Sequence, residues 1–387
     1  MKICIITSSR ADFGLLKNLI IKLKKKNLIF SISSGNHFSK KFGNTHLEIK
    51  SSGLKIDKKI FCNFNTNDPI GISNVISSCI VKTTKILKKI KPDLLLVLGD
   101  RYEILGSVIA AHVSSIPIAH LHGGEVTRGV IDDAFRHSIT KMSNIHFVCH
   151  EIYKRRVIQL GENPKNIFNV GSLGVDNIYN SKFLSKEVLE KKFNLVFRKK
   201  NFLVTFHPET LNKDKAKKQI KVLLSAIKLF TDYSFIFTSP GAELESSLIL
   251  KEIKQFIKKN KNSYFYSSLG QRNYFSFLNI VDGIIGNSSS GIIEMPYFKK
   301  GTVNIGIRQN GRLLASSVIN ADIKINSIQK SIKKIITKSF LKKIRSKKNN
   351  ILGGPGASDK IIKILKKLDF RKIKNKFFFD IGFTKIK

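Results

Sequence analysis

Apolar residues arrive along this chain in short unbroken runs, separated by longer stretches where they recur every three or four positions. KICIIT (2–7), FSISSG (30–35), DLLLVLGD (93–100), IPIAHLHGG (116–124), IHFVCH (145–150) and IFNVGS (167–172) are the runs of the first half. Helical spacing fills the gaps: from about Leu15, over roughly 73–90, near 102–114, over 132–143 and over 151–160. Unbroken apolar runs alternating with amphipathic helices predict a parallel sheet covered on both faces. The second half repeats the grammar with NFLVTFH (201–207), YSFIFTSP (233–240), SYFYSS (263–268), DGIIGN (282–287) and TVNIGI (302–307). The polar segment 180–200 reads as a connector, and GGPGASDK (353–360) breaks the chain before a last amphipathic helix over 359–369. The expected fold class is therefore α/β, with two doubly wound domains, 1–180 and 181–369, facing a central cleft. A basic, aromatic tail occupies 370–387. Ligands of such sheets bind outside the carboxyl ends of the strands, so strand-terminal residues are the ones to read.

Length agrees with two domains, since 387 residues exceed what one compact core holds. No apolar run approaches the ~18 to 20 residues that span a bilayer. The N-terminus opens directly on a strand-like run, with no signal-peptide pattern. Four cysteines, Cys4, Cys62, Cys79 and Cys149, lie scattered, with no C-x-x-C spacing. Cys4 and Cys149 fall inside apolar runs, which suggests reduced, buried thiols and a cytoplasmic protein, with no membrane partner. Sixty-nine basic against 27 acidic residues give a formal charge of +42. Those lysines alternate with apolar residues in nearly every helix, as solvated faces do, and the surplus of Lys, Ile, Asn and Phe matches AT-rich codons. No nucleic-acid partner is expected, because the interleaved aromatics of a stacking platform are missing. The field would still draw in an anionic substrate.

Chemistry concentrates in a few strand ends. Asp100 closes LLLVLG, where it suits either a helix N-cap or a ligand contact. In AHLHGGEVTRGVIDDAFRHSITKMS (119–143), strand alternation would put His120 and His122 on one face. Gly123 and Gly124 then break the strand ahead of Glu125. Asp132 and Asp133 open a helix, with His137 one turn after Asp133, where the two can pair. His120-x-His122 offers two metal ligands, yet neither HExxH nor a second Cys/His cluster accompanies it, so no metal is expected. His122, Glu125 and Asp132, on the mobile side of two glycines, suit proton transfer into a pocket. Arg10, at the end of the first strand, reads as a loop cation for phosphate. His207 in TFHPET precedes a helix start, with Pro208 in its first position and Glu209 in its first turn. In GNSSSGIIEMP (286–296), Ser288, Ser289, Ser290 and Gly291 lead into a helix whose N-terminus suits phosphate oxygens, and Glu294 can reach a ribose diol. Neither Walker A nor GxGxxG spacing is present.

MKICIITSSRADFG, LLVLGDRYEILG, IPIAHLHGGEVTRGVIDDAFRHSITKMS, VTFHPET and GNSSSGIIEMPYF, in that order, resemble the UDP-N-acetylglucosamine 2-epimerases, and most closely the hydrolysing branch of sialic and legionaminic acid synthesis. The resemblance covers roughly 1–365. It implies a GT-B-like architecture of two Rossmann-like domains, the nucleotide held mainly by the second, no cofactor, and a homo-oligomer, dimer or tetramer. It also implies roles: Asp100 as a catalytic carboxylate, HGGE and IDD as further acid–base groups, Arg10 on the substrate, His207 near the diphosphate, the serines and Gly291 on phosphate, and Glu294 on ribose. Several family members carry Glu where this chain has His122, which leaves open whether His122 or Glu125 takes that task. The implied reaction is the hydrolytic epimerisation of UDP-N-acetylglucosamine to N-acetylmannosamine and UDP through a glycal. Related enzymes use a UDP- or GDP-linked 2,4-diacetamido sugar instead. The non-hydrolysing epimerase is disfavoured by HGGE and IDDAFRH, and a glycosyltransferase would require an acceptor.

Overall fold

The computed structural model describes residues 1–38, 45–62, 68–127, 131–209, 215–240, 245–346 and 351–382. Two compact units emerge. The first comprises Met1–Glu125, Asp132–Asn177 and Leu352–Lys387; the second comprises Val126–Ile131 and Ile178–Ile351.

The first unit holds a wholly parallel sheet of β1 (Lys2–Thr7), β2 (Leu28–Ser34), β3 (Lys58–Ile60), β4 (Leu94–Leu98), β5 (Ile118–Leu121), β6 (Ile145–Val148) and β7 (Ile167–Asn169). Its order, β3-β2-β1-β4-β5-β6-β7, reverses direction between β1 and β4. The central strands are buried along their whole length, as LLLVL in β4 shows, because helices cover both faces. β3, with the polar sequence KKI, is an edge strand that hydrophobic runs alone do not reveal.

The second unit holds β8 (Lys200–Thr205), β9 (Tyr233–Thr238), β10 (Ser263–Tyr266), β11 (Gly283–Gly286), β12 (Gly301–Ile305) and β13 (Val318–Ala321), in the order β10-β9-β8-β11-β12-β13, again all parallel. Its switch point lies between β8 and β11. Edge strand β13 also escapes the hydrophobic pattern.

Four expectations need correction. The segment 180–200 is a packed part of the second unit: helix Lys186–Phe193 and the turn after it bury Leu189, Leu195 and Phe197 against Phe275 and Phe277. The last amphipathic helix, Ala357–Leu365, belongs to the first unit, where Ile361 and Leu365 join the core of Leu16, Leu19 and Leu23. A helix pattern states that one face is buried, not what covers it. One described helix, Pro69–Ile90, is long and apolar enough to cross a bilayer by length and composition. Its inward face, Val75, Cys79, Thr83 and Leu87 at four-residue spacing, packs into the core beside helix Tyr102–Val113. The cysteines are not all isolated, since Cys62 and Cys79 bring their sulfurs within 3.6 Å.

The basic tail is strapped down. Lys376 donates from its ammonium to the Ser143 carbonyl at 2.6 Å and pairs with the buried Glu162 at 2.7 Å. Glu162 also meets Lys141 and His146, each at 3.0 Å. Phe379 N donates to the Gly161 carbonyl at 2.9 Å, and the Phe378 ring lies 4.4 Å from the Lys141 ammonium.

Candidate active-site residues at two switch points

In the first unit, β1 and β4 lead to Arg10 and Asp100. The helix expected from about Leu15 begins at Arg10, capped by Ser9, with Asp12 closing a reciprocal capping box. Arg10 is thus no loop cation. A guanidinium at a helix N-terminus opposes the dipole, an arrangement that an incoming anion would relieve. Asp100 caps nothing, since Arg101 occupies the N-cap of Tyr102–Val113 without a side-chain bond. Its carboxylate pairs with Arg136.

Arg136, buried in helix Asp132–Met142, is a hub that the motif reading missed. One amino group reaches Asp100, and the other donates to the Glu125 carbonyl at 3.0 Å and to Asp133 at 3.1 Å. Asp100 lies 36 residues from Arg136 in sequence, so spacing gave no signal. Asp132, at the start of that helix, is half-buried.

The histidines part company. His120, within β5, is fully buried, and burial pushes its imidazole down to about 3. A neutral ring donates once: Nε2 to the Gly99 carbonyl at 2.8 Å, leaving Nδ1 to accept from the Thr140 hydroxyl at 3.1 Å. It braces Gly99, the residue before Asp100. β5 ends at Leu121, and His122 adopts φ 65°, so strand alternation fails there. His122 Nδ1 lies 2.8 Å from Glu125 Oε1, while Nε2 is buried without a hydrogen-bond partner among the described residues. This is a carboxylate–imidazole pair with its far nitrogen unspent, the arrangement of a proton carrier. His137 Nε2 lies 3.7 Å from Asp133, and burial lowers its pKa.

The glycines of HGGE do not confer mobility. A Cβ on Gly124 (φ 75°) would sit 2.4 Å from the Tyr153 carbonyl, and one on Gly123 would press on His120 and Thr140. Arg156 holds the Gly124 carbonyl at 2.5 Å. The loop is pinned by close approach.

In the second unit, β8 and β11 lead to His207 and to Asn287–Gly291. Asn287 clamps the HPE backbone, accepting from His207 N at 2.7 Å and donating to its carbonyl at 2.8 Å. Pro208 and Glu209 lie ahead of helix Ala216–Lys228 rather than in its first turn. Residues 210–214 of TFHPET and its sequel fall outside the described residues. Buried Glu209 instead accepts from Ile307 N at 2.7 Å and Gln219 at 3.1 Å, fixing the loop after β12. From that loop Arg308 and Gln309 donate to the Asn287 carbonyl at 3.2 and 2.7 Å, another cation that sequence reading passed over.

The helix expected after the serines is one α-turn, Ser290–Ile293, continued by a 3₁₀ turn, Met295–Phe298, because Pro296 cannot extend it. So short a helix has little dipole, so the turn offers hydroxyls and backbone N–H groups rather than a helix field. Tyr274 OH donates to Ser290 Oγ at 2.5 Å, which donates to Glu294 Oε2 at 2.5 Å. Burial raises the Glu294 carboxyl to about 7, against the opposing pull of Ser290.

Both sets of residues stand outside the carboxyl ends of strands at a topological switch point, where doubly wound sheets bind ligands. A search among solved structures finds the same fold: UDP-GlcNAc 2-epimerase from Neisseria meningitidis bound to UDP-GlcNAc aligns with TM-score 0.80 at 18% identity, covering 95% of this chain and 100% of that one. This supports the GT-B-like reading of two Rossmann-like units. The GDP/UDP-N,N'-diacetylbacillosamine 2-epimerase (hydrolyzing) of Campylobacter jejuni is 41% identical over 343 residues, 88% of each chain. The polysialic acid biosynthesis protein P7 of Escherichia coli is 38% identical, over 98% of this chain and 96% of that one. With the model for UDP-N-acetylglucosamine 2-epimerase matching residues 22–366, the chain belongs to that family of nucleotide-sugar enzymes.

Proposed function

We propose that the protein is a hydrolysing 2-epimerase whose substrate is UDP- or GDP-N,N'-diacetylbacillosamine, released as the free 2-epimeric sugar with the nucleoside diphosphate. The observation that carries this is the 41% identity to a relative named for that activity. It shifts the weight away from UDP-N-acetylglucosamine, the substrate first expected from the sequence. That substrate remains the second reading, supported by the 38% identity to protein P7 over nearly the whole chain.

In this reading, a base removes the proton on sugar C2 while the C1–O bond to the diphosphate breaks. The C–H electrons become the C1=C2 bond of a glycal, and the diphosphate leaves with its bonding pair. Water then adds at C1, and an acid protonates C2 from the opposite face. Two proton carriers are needed, and the first unit offers Asp100, positioned by Arg136, and His122, positioned by Glu125. Asp132 is the third candidate. Removing a positioned acid or base costs about 10²- to 10⁴-fold in rate. Arg10 meets the substrate's anionic part. In the second unit Ser288, Ser289, Ser290 and Gly291 hold phosphate, Glu294 takes the ribose hydroxyls, and His207 serves the leaving oxygen. Such preorganised donors act where charge develops.

Incubation in D₂O with chelator and no acceptor, followed by NMR, tests this. The expected outcome is free sugar deuterated at C2, with kcat/KM for a diacetamido substrate about a hundredfold above that for UDP-N-acetylglucosamine, the order of discrimination that one substrate group supplies. A preference for UDP-N-acetylglucosamine would install the second reading. If all three nucleotide sugars stay intact, the hydrolysing-epimerase reading fails.

A further inference from the structure

Cys149 sits one residue beyond β6 and is fully buried, its sulfur 3.4 Å from Glu125 Oε1. The same oxygen lies 2.8 Å from His122 Nδ1. A nitrogen and a carboxylate oxygen from one loop and a sulfur 24 residues further on thus converge so that all three lie within 4.8 Å of one another. Tetrahedral zinc with bonds of about 2.0 to 2.3 Å sets its ligands about 3.4 Å apart: the Glu125–Cys149 separation of 3.4 Å already matches, and the His122–Glu125 contact of 2.8 Å would open to admit the ion. We propose that His122, Glu125 and Cys149 form a binding site for a soft divalent cation of the Zn²⁺ class.

The donor set decides the class. A thiolate with an imidazole selects zinc and its neighbours over magnesium or calcium, which take oxygen ligands. The ligands are held by well-anchored backbone: His122 N donates to the Phe147 carbonyl at 3.0 Å, Arg136 grips the Glu125 carbonyl at 3.0 Å, and β6 carries Cys149. The ion would take the place of the Nδ1–Glu125 contact that positions His122 in the reading above, so its binding and turnover exclude each other. His122 is nine-tenths buried, and its Nε2 has no hydrogen-bond partner among the described residues. With the metal on Nδ1, the ring's proton moves to Nε2 and Cys149 gives its thiol proton to solvent. Net release is that of the thiol, so affinity rises with pH.

The test does not depend on turnover. The full chain, stripped with chelator, is titrated with Zn²⁺ by calorimetry and with Co²⁺ by absorption. Expected are one ion per chain with proton release, a cobalt–thiolate charge-transfer band, and an affinity about a hundredfold or more lower in Cys149→Ser. Cys62→Ser, which leaves the cluster untouched, should bind like the parent. No binding, no thiolate band in the parent, or equal affinity in Cys149→Ser would each overturn the site. The parent's spectrum decides by itself should the variant fail to fold.

Discussion

The two switch points share a topology and differ in what their strand ends carry. At β1/β4, titratable side chains are interlocked: Arg136 ties Asp100, Asp133 and the Glu125 backbone together, and Glu125 in turn meets His122. At β8/β11 the ends carry amides and hydroxyls, with Asn287 clamping backbone and a Tyr274–Ser290–Glu294 relay. In the proposed reading, the first set of residues moves protons and the second grips a polar, anionic group. Equal topology therefore says where ligands go and nothing about what happens to them.

The sharpest way to break this contrast is Asp100→Asn. Turnover of the preferred nucleotide sugar should fall about a thousandfold while melting and UDP affinity stay near the parent's. Rates within a few-fold of normal would remove Asp100 from the chemistry.

Glu294→Gln probes the other crevice. Because burial holds this carboxyl near 7, it is protonated in mildly acid solution, and a ribose diol prefers the ionised form. UDP affinity should therefore tighten about tenfold between pH 6 and pH 8, and the variant's profile should be flat. The stability sign is opposite: a carboxyl raised above its ordinary value loses folded-state stability as pH rises from that value through 7, and the variant escapes this loss. A parent profile without slope would detach Glu294 from the ligand.

Smallest is Lys376→Met, in the strapped tail. It leaves the buried Glu162 with Lys141 and a His146 whose pKa burial lowers. Melting of the first unit should drop by about 2–4 °C per kcal/mol lost, with UDP binding unchanged. An unchanged melting curve would make the strap ornamental.

Most of the sheet was legible, because central parallel strands are buried on both faces and betray themselves as VIL-rich runs. β3 and β13, at sheet edges and half-solvated, carry too few apolar residues to stand out. Candidate residues at strand ends were legible too, since topology alone selects those positions. What joins them was not. Arg136 looked like one basic residue among many on a polar helix. Cys149 looked like core, because only folding brings β5 and β6 side by side. Gly123 and Gly124 signalled flexibility, where the fold uses Gly124 to let backbone approach helix Glu151–Gln159 and Gly123 to fit against His120 and Thr140.

The docking of Ala357–Leu365 and the tail onto the first unit has a consequence for synthesis. Chains fold as the ribosome delivers them, N-terminal parts generally first. Here the core around Leu16 and Leu19 lacks Ile361 and Leu365 until the ribosome has passed those positions. The second unit is nearly continuous, and its long segment is translated before those residues. The portion begun first is thus completed after the second unit, and a ribosome that stops short of Ile361 leaves an unfinished first core and a finished second one.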